Sequence, residues 1–319
     1  MDRIIIDGLA FALPLFIIAV GGIYGEKSGI FMLSLEGFQG FGAFIGALMV
    51  AILTQTMGTT HWYFLYIAMV AAMLGGALFS AIHAVMCVKF RANHVISGVV
   101  SNILAVAVTT FMTSVANRLL TGDSSNRFQL GSAPRYDIPL LSDIPLLGMI
   151  FRRVYPFQVA IILVAVVAWY LMYRTRYGLR LRAAGENPHS LDAAGGEVNR
   201  TRFTAVLIGG ALSGLGGIFL AYSVSANFSP AIYMGYGYLA IAAMIFGNWR
   251  ILPTLAACLF FGFARSGGYQ LLLVMGLSST FNDLFLTLPY ILTLFLLVFF
   301  SRHSNPPRAA GEFFDKGKR

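Results

Sequence analysis

The sequence predicts an all-α protein, a polytopic transmembrane helix bundle with about nine to ten membrane segments, some of them broken or half-spanning. Two properties of the composition carry this prediction. Of the 319 residues, 58% are hydrophobic and only 11% are charged, whereas soluble globular domains are about 25% charged. The mean hydropathy of +0.76 also exceeds what one soluble core can bury. Most of the apolar surface is therefore expected to face lipid or other membrane helices.

Apolar stretches long enough to cross a bilayer follow one another along the chain. A hydrocarbon core of about 30 Å needs about 20 apolar residues in a helix. The stretch 236–248 is too short to cross unless its neighbours extend it, and a break in the second stretch would add a tenth crossing. The nine predicted segments are 5–24, 30–55, 62–88, 94–115, 156–173, 203–222, 236–248, 251–273 and 281–300.

The second predicted segment is rich in glycine, with Gly37, Gly40, Gly42 and Gly46. Small residues let membrane helices pack closely. Glycines also interrupt helices beside the path of a transporter, near the middle of the membrane. Both interpretations of this segment remain open from the sequence.

Basic residues predict the orientation of the bundle. About half of the 22 lysines and arginines fall in the segment 174–202 and in the tail 302–319, and such clusters mark cytoplasmic loops. Four segments between these two clusters return the chain to the same side. Nine crossings then place the amino terminus and a loop at 116–155 outside, within a transmembrane domain that spans 1–301. The net charge of +9 is thus explained by membrane orientation, and no nucleic acid partner is expected.

The sequence carries no motif for chemistry of its own. It lacks the G-x-x-x-x-G-K-[ST] phosphate loop, the H-E-x-x-H metal motif and a convincing catalytic triad. Cys87 and Cys258 lie singly in apolar runs, so no metal site is expected. If ATP drives this protein, a partner must dock on a cytoplasmic surface, and the loop 174–202 is the largest such surface.

The middle of that loop has the signals of a short capped helix. Asn187 can cap exposed backbone amides and Pro188 suits the first helical position. Gly195 or Gly196 can end the helix after about two turns. The loop is then either held at the membrane surface by lipid phosphates through its arginines or serves as a docking surface for a partner.

At this point a family resemblance becomes specific. The run 185–200 resembles the cytoplasmic docking segment of bacterial ABC permeases for ribose-type sugars, nucleosides and branched-chain amino acids. Gly196 stands where the family usually has isoleucine. The resemblance implies an ATPase-coupling role for the segment, and with Glu186 included the residues are Gly185, Glu186, Asn187, Pro188, Ala194, Gly195 and Arg200.

Three further runs extend the resemblance over most of the chain and look most like the nucleoside and simple-sugar branch. His94 stands where that branch usually has an acidic residue. Met32–Leu33–Ser34 replaces a common Asn-Ile-Gly. The three runs are Leu35–Gly37, Asn93–Gly98 with Asn102, and Gly237–Trp249.

The resemblance implies the permease subunit of an ATP-binding cassette importer in the bacterial cytoplasmic (inner) membrane. Such a subunit moves its solute by alternating access and has no enzymatic activity of its own. It binds no cofactor, because ATP and Mg²⁺ belong to the partner ATPase subunits. The other implied partners are a second permease, identical or related, an extracytoplasmic solute-binding protein and membrane lipid.

The expected solute is a nucleoside or a simple sugar. A branched-chain amino acid is the first alternative, since that branch shares the docking pattern. A secondary transporter driven by an ion gradient is a more distant one, for which Glu36 is a single hint.

Polar residues inside a membrane are costly, so each is a candidate for the transport path. At about 1.5 Å per residue, Glu36, His83 and Asn102 lie about 8 to 12 Å from the cytoplasmic ends of their segments. They are predicted to form an inner gate or a structural network. Arg265 lies about 21 Å along its own segment, so an interaction with Glu36 requires a broken helix. The path candidates are Glu36, His94, Asn102, Arg265 and Gln270.

Overall fold

A computed structural model shows the chain as a bundle of α-helices. The structure describes residues 2–131, 133, 135–137, 153–276, 287–300 and 305–317. Among the helices of these residues, seven are long and apolar enough to cross a membrane, and an eighth apolar helix is shorter. The predicted class, a polytopic helix bundle with a half-spanning segment, is confirmed.

The helices follow the predicted segments closely. The helix α3 continues into a π-helical turn at Val85–Lys89, and two short strands, Phe128–Gln129 and Asn227–Phe228, pair antiparallel. In chain order the helices are α1 Asp2–Lys27, α2 Leu35–Met57, α3 Phe64–Ala84, α4 His94–Thr121, α5 Pro156–Arg174, α6 Arg176–Glu186, α7 Pro188–Ala193, α8 Val198–Val224, α9 Tyr236–Phe246, α10 Ile251–Val274 and α11 Leu288–Phe300.

Local sequence explains where several helices begin and end. The Asn93 side chain caps α4 by accepting hydrogen bonds from the amides of Val95 and Ile96, at 2.9 and 3.2 Å. Gly58 and Gly122 follow α2 and α4 with φ of +71° and +81°. These left-handed conformations suit glycine and end a helix.

Two helices begin five residues away from their predicted starts. The second helix begins at Leu35 and not at residue 30, because residues 28–34 form a buried turn, called here the α1–α2 turn. The helix α8 begins at Val198 and not at 203, so Arg200 and Arg202 lie in its first turns rather than in a loop. Residues 281–286 of the last predicted segment lie outside the described residues.

The helices α1, α2 and α8 form the buried centre of the bundle. Small residues allow their close approach: the Cβ of a residue larger than glycine at position 42 would lie 2.8 Å from the carbonyl oxygen of Ala72 on α3. The helix α2 is unbroken through its glycines. Close packing is therefore the role of this glycine-rich segment, and it gives one crossing rather than two.

Outer helices present large aliphatic side chains to the surroundings. Leu78 on α3, Ile103 on α4 and Leu163 on α5 are 70%, 65% and 62% exposed. Such faces are expected to contact lipid, because no soluble protein of this size leaves so many of them uncovered.

Several connections meet on one face of the bundle, called here the basic face. The tail at 305–317 lies across it: the amide of Ala309 donates to the carbonyl of Gly185 at 2.8 Å, and that of Gly311 to the carbonyl of Gly29 at 3.0 Å. The two basic clusters of the sequence are thus on the same side. The basic face consists of the α1–α2 turn and of residues 90–93, 175–197, 247–250 and 305–317.

Candidate coupling segment and transport path

The segment predicted to couple to an ATPase forms the short capped helix α7. Asn187 ends α6 and caps α7, and its Oδ1 accepts a hydrogen bond from the amide of Ser190 at 3.1 Å. Pro188 occupies the first turn, and Gly195 follows the helix with φ of +77°. The geometry expected from these three residues is therefore present.

The seven predicted coupling residues divide by exposure. Gly185 and Pro188 are buried, and Gly185 packs so closely against the end of α1 that a side chain there would collide with the carbonyl of Lys27. These two residues set the shape of the segment. The others form a surface that a partner can reach: Glu186, Asn187, Ala194, Gly195 and Arg200 are exposed.

The underside of α7 is apolar. Leu191 packs in a small cluster with Ala184 of α6, Val198 of α8 and Phe314 of the tail. A salt bridge of 3.5 Å joins Lys316 of the tail to Asp192 of α7. The tail therefore packs against α7 through both apolar and charged contacts.

Glu36 lies where the half-length helix α9 begins. It is 8% exposed, and its Oε2 accepts a hydrogen bond from the amide of Gly235 at 2.8 Å. The amides of Gly237 and Tyr238 also face this carboxylate. A negative charge at a helix amino terminus satisfies amides that have no partner within the helix. Glu36 of α2 thus caps α9 from a neighbouring helix.

Asn102 of α4 joins the same region. Its Oδ1 accepts from the amide of Gly37 at 2.8 Å, and its Nδ2 donates to the carbonyl of Leu33 at 2.8 Å and to the hydroxyl of Tyr238 at 3.1 Å. The structure therefore brings Glu36 and Asn102 together, as their equal depth predicts.

His83 belongs to a separate network. Its Nε2 lies 3.1 Å from the carbonyl oxygen of Phe31, which can only accept, so Nε2 donates. Its Nδ1 then accepts from the hydroxyl of Ser97 at 2.9 Å. The prediction of one cluster that includes His83 is wrong at this point. Both networks nevertheless hold the α1–α2 turn, His83 through residue 31 and Asn102 through residue 33.

His94 lies under the tail and away from the Glu36 region. Its side chain is 3% exposed and packs between the rings of Phe31 and Phe313, at 6.5 and 5.5 Å between centroids. Within the described part of the chain, neither ring nitrogen has a hydrogen-bond partner. His94 is thus a buried packing residue of the basic face.

Arg265 lies on α10 beside the amino terminus of α9. Its guanidinium carbon is 4.5 Å from the ring centroid of Phe11, and its Nη2 is 3.5 Å from the hydroxyl of Tyr236. Gly235, the residue before Tyr236, binds Glu36. The start of α9 therefore lies between Arg265 and Glu36, and the two side chains form no ion pair with each other. The sequence analysis expected an interaction between them only if a helix were broken.

Two cavities adjoin Arg265 and Phe11, with volumes of about 400 and 210 Å³. Gln270, five residues beyond Arg265, points about 140° away from it around the helix and is partly exposed. Apart from Arg265 and Phe11, Asp7, Ser223, Ser266 and Tyr269 line the larger cavity, and Tyr236, Leu239, Thr287 and Tyr290 line the smaller one.

Sequence reasoning missed three buried residues that join segments. The Oε2 of Glu26 accepts a hydrogen bond from the indole of Trp249 at 2.6 Å. Arg202 is 2% exposed and binds three carbonyls. Trp249 ends one of the matching runs, which is the available signal for it. Arg202 has the pattern of a surface arginine, and only its position at the start of an apolar helix distinguishes it.

The fold, a bundle with seven helices among the described residues that are long and apolar enough to cross a membrane, places the chain in the class of polytopic membrane proteins. Residues 4–299 match the family described as "Branched-chain amino acid transport system / permease component", and the chain belongs to that family. It is a multi-pass protein of the inner membrane, the permease subunit of an ATP-binding cassette importer. No solved structure matches the chain.

Named relatives are similar over nearly their whole length. The chain is 36% identical over 316 residues to the guanosine ABC transporter permease protein NupQ of Bacillus subtilis (strain 168), covering 98% of this chain and 96% of NupQ. It is 35% identical over 324 residues to the nucleoside ABC transporter permease protein NupC of Lactococcus lactis subsp. cremoris (strain MG1363), covering 100% and 98%. It is 25% identical over 276 residues to a second guanosine ABC transporter permease protein of the same Bacillus subtilis strain, NupP, covering 85% and 75%.

Proposed function

We propose that this chain imports nucleosides, as the permease subunit that forms the membrane path. The observation that carries the proposal is the end-to-end identity with NupQ and NupC, both of which are named for this class of solute. The Glu36 carboxylate is engaged by the amides of α9, which fits a structural role beside the path rather than the binding of a charged solute.

The cavities beside Arg265 are the proposed contact region for the solute. The rings of Tyr236 and Tyr269, which line these cavities, offer faces on which a nucleobase can stack. Arg265 offers hydrogen-bond donors, and the buried hydroxyl of Ser266 has no partner among the described residues. Polar pockets of a few hundred Å³ suit small solutes. Glu36 and Asn102 hold the start of α9 beside this region and are its proposed gate.

The helix α7 is the proposed docking site for the ATPase. ATP and Mg²⁺ bind to that partner, and this chain binds neither. Hydrolysis would displace α7 through the exposed residues Glu186, Asn187, Ala194, Gly195 and Arg200. An external solute-binding protein would deliver the solute to the opposite face.

A related second permease is the proposed partner within the membrane. One strain has two proteins named guanosine ABC transporter permease, and this chain is more similar to one of them than to the other, at 36% against 25% identity. That difference supports a pair of distinct permeases rather than two copies of one. If two differently tagged copies of this chain purify together in the absence of any other permease, the pair is a homodimer.

Docking is tested by co-purification. The wild type and the triple variant Glu186→Ala/Asn187→Ala/Pro188→Gly are solubilised in detergent, and the ATPase that purifies with each is measured. We expect the ATPase with the wild type and a large loss with the variant. A control variant, Arg250→Ala, changes an exposed arginine of the same face that lies in the α9–α10 connection, outside the docking segment, and is expected to retain the ATPase. A folded wild type that purifies without an ATPase contradicts the proposal.

The solute is tested by uptake. The permease is expressed with its partners in cells that lack other nucleoside uptake, and labelled guanosine is supplied. We expect uptake that requires the ATPase and that unlabelled nucleosides inhibit. An assembled complex that takes up labelled leucine or glucose but no guanosine rejects this solute class.

A further inference from the structure

We infer that the tail at 305–317 is a positioning element for the coupling helix α7. It holds α7 and moves with it, and it thereby passes displacements of α7 to the other connections of the basic face. This inference rests on the proposed docking of the ATPase on α7. Sequence reasoning treated the tail only as a basic segment on the cytoplasmic side.

The tail contacts four separate connections between membrane helices. The amide of Asn305 donates to Oδ1 of Asn248, in the α9–α10 connection, at 2.9 Å. Gly311 binds the α1–α2 turn through Gly29, at 3.0 Å. Asp315 lies 3.8 Å from Arg91, in the α3–α4 connection. The fourth connection is the coupling segment itself, which the tail binds at Gly185, Leu191 and Asp192.

Arg202 connects the tail to its neighbours at one point. Its three nitrogens donate to the carbonyls of Ser28 at 3.0 Å, Glu312 at 2.7 Å and Ala184 at 3.2 Å. These carbonyls belong to the α1–α2 turn, the tail and α6. A buried guanidinium needs all of its donors satisfied. Displacing any one of the three segments alone therefore leaves donors of a buried charge unpaired.

The contact between the tail and α7 depends on Phe314 more than on charge. The Phe314 side chain is 7% exposed and packs against Leu191 and Ala184. The Lys316–Asp192 pair is largely exposed on the lysine side, at 78%. Exposed ion pairs contribute little. Burial of the ring is therefore the main reason that the tail and α7 form one unit.

A continuous series of contacts leads from α7 to the start of α9. Phe314 packs under α7, and Gly311 binds Gly29 in the α1–α2 turn. Leu33, at the other end of this turn, accepts a hydrogen bond from Asn102, which also binds Tyr238 of α9.

The first test separates coupling from assembly. In the reconstituted complex with its ATPase and solute-binding protein, Phe314→Ala is compared with the wild type, with Phe314→Leu and with the matched control Phe313→Ala. Phe313 is also an aromatic residue of the tail, but its ring packs against His94, and it lies outside the cluster that joins Phe314 to α7. The readouts are the amount of bound ATPase, ATP hydrolysis without solute, and solute transported per ATP hydrolysed.

We expect Phe314→Ala to retain bound ATPase and ATP hydrolysis but to lose about tenfold in transport per ATP, a typical coupling effect. Phe314→Leu restores part of it, and Phe313→Ala stays close to the wild type. Normal transport per ATP in an assembled Phe314→Ala complex overturns the inference and leaves the proposed function intact. A wild type without bound ATPase overturns both.

A cross-link covers the case in which Phe314→Ala does not assemble. Cysteines replace Asp192 and Lys316, whose side chains are 3.5 Å apart, and a short bismaleimide joins them in the assembled complex. Cys87 and Cys258 are buried, so the reagent reaches the introduced pair first. We expect the linked complex to transport at the rate of the unlinked double variant. Loss of transport on linking means that the tail must separate from α7, which overturns the inference.

Discussion

Single residues in this permease act mainly by holding backbone groups that membrane helices cannot satisfy themselves. Glu36 accepts hydrogen bonds from amides at the start of α9, and Asn102 accepts one from the amide of Gly37 at the start of α2. In lipid, water cannot satisfy such groups. The sequence could predict that both residues are buried and at one depth. It could not predict what they bind, because the partners are backbone groups of a turn and of a half-length helix.

The role of the Glu36 charge can be separated from its role as a cap. Replacing Glu36 with Ala leaves amides of α9 unpaired and is expected to lower the free energy of unfolding by about 2 kcal/mol. Replacing it with Gln is expected to lower it by less than about 1 kcal/mol and to preserve transport, because amide oxygens cap helices nearly as well as carboxylates. Thermal stability in detergent and nucleoside uptake measure the two effects. Loss of uptake in a stable Glu36→Gln protein would show that the charge itself is required.

Asn102 is expected to contribute more to stability than its partner hydroxyl on Tyr238. Asn102→Leu removes three hydrogen bonds and leaves buried groups at Gly37 and Leu33 unpaired, at a cost of about 3 kcal/mol. Tyr238→Phe removes one bond at a partly exposed site, at a cost of about 1 kcal/mol. Unfolding of the two variants in the same detergent gives the comparison. Equal losses would contradict the hydrogen-bond assignment.

Helices in the centre of the bundle approach one another at glycines. The position of a glycine therefore determines whether its helix tolerates a larger residue there. The hydropathy of the sequence predicted most helices, and its turn signals predicted α7. It could not predict that α2 begins only at Leu35, because Ile30, Phe31 and Met32 are apolar and hydropathy does not distinguish a buried turn from a helix. It also could not show which glycines lie at helix contacts.

Two glycines provide a matched test of this packing. A side chain on Gly214 of α8 would collide with the carbonyl of Ala72 on α3, whereas one on Gly267 of α10 would have no atom within 4 Å. We expect Gly214→Val to cost about 3 kcal/mol and to abolish monodisperse protein. The control Gly267→Val is expected to gain less than about 1 kcal/mol from helix propensity. Size-exclusion profiles of fluorescent fusions measure both, and a well-folded Gly214→Val protein would refute the packing.

At the scale of the whole molecule, the described chain places both basic clusters on one face. The charge pattern predicted that both clusters lie on the same side, because positive residues near membrane segments orient the chain regardless of how the helices pack. The packing of the tail against that face could not be predicted. Its contacts run to residues far away in sequence, and its composition is that of a solvated segment.

The orientation can be measured by labelling single cysteines. Thr59→Cys, between α2 and α3, is expected to react with a membrane-impermeant maleimide in intact cells. Ser190→Cys, on α7, is expected to react only in inverted vesicles. The wild type, whose two cysteines are buried, serves as the control. Labelling of both positions from the same side would invalidate the topology of nine crossings.

The central position of α1 also imposes an order on biosynthesis. This helix is almost entirely enclosed, and its principal neighbour α8 begins at Val198. Roughly 170 residues separate the two, which at about 5 to 20 residues per second means a delay of about 8 to 35 s. During that time Glu26 has neither Trp249 nor a closed bundle around it. Glu26 and the side chains of α1 that face α8 therefore stay without their final partners until the later helices arrive.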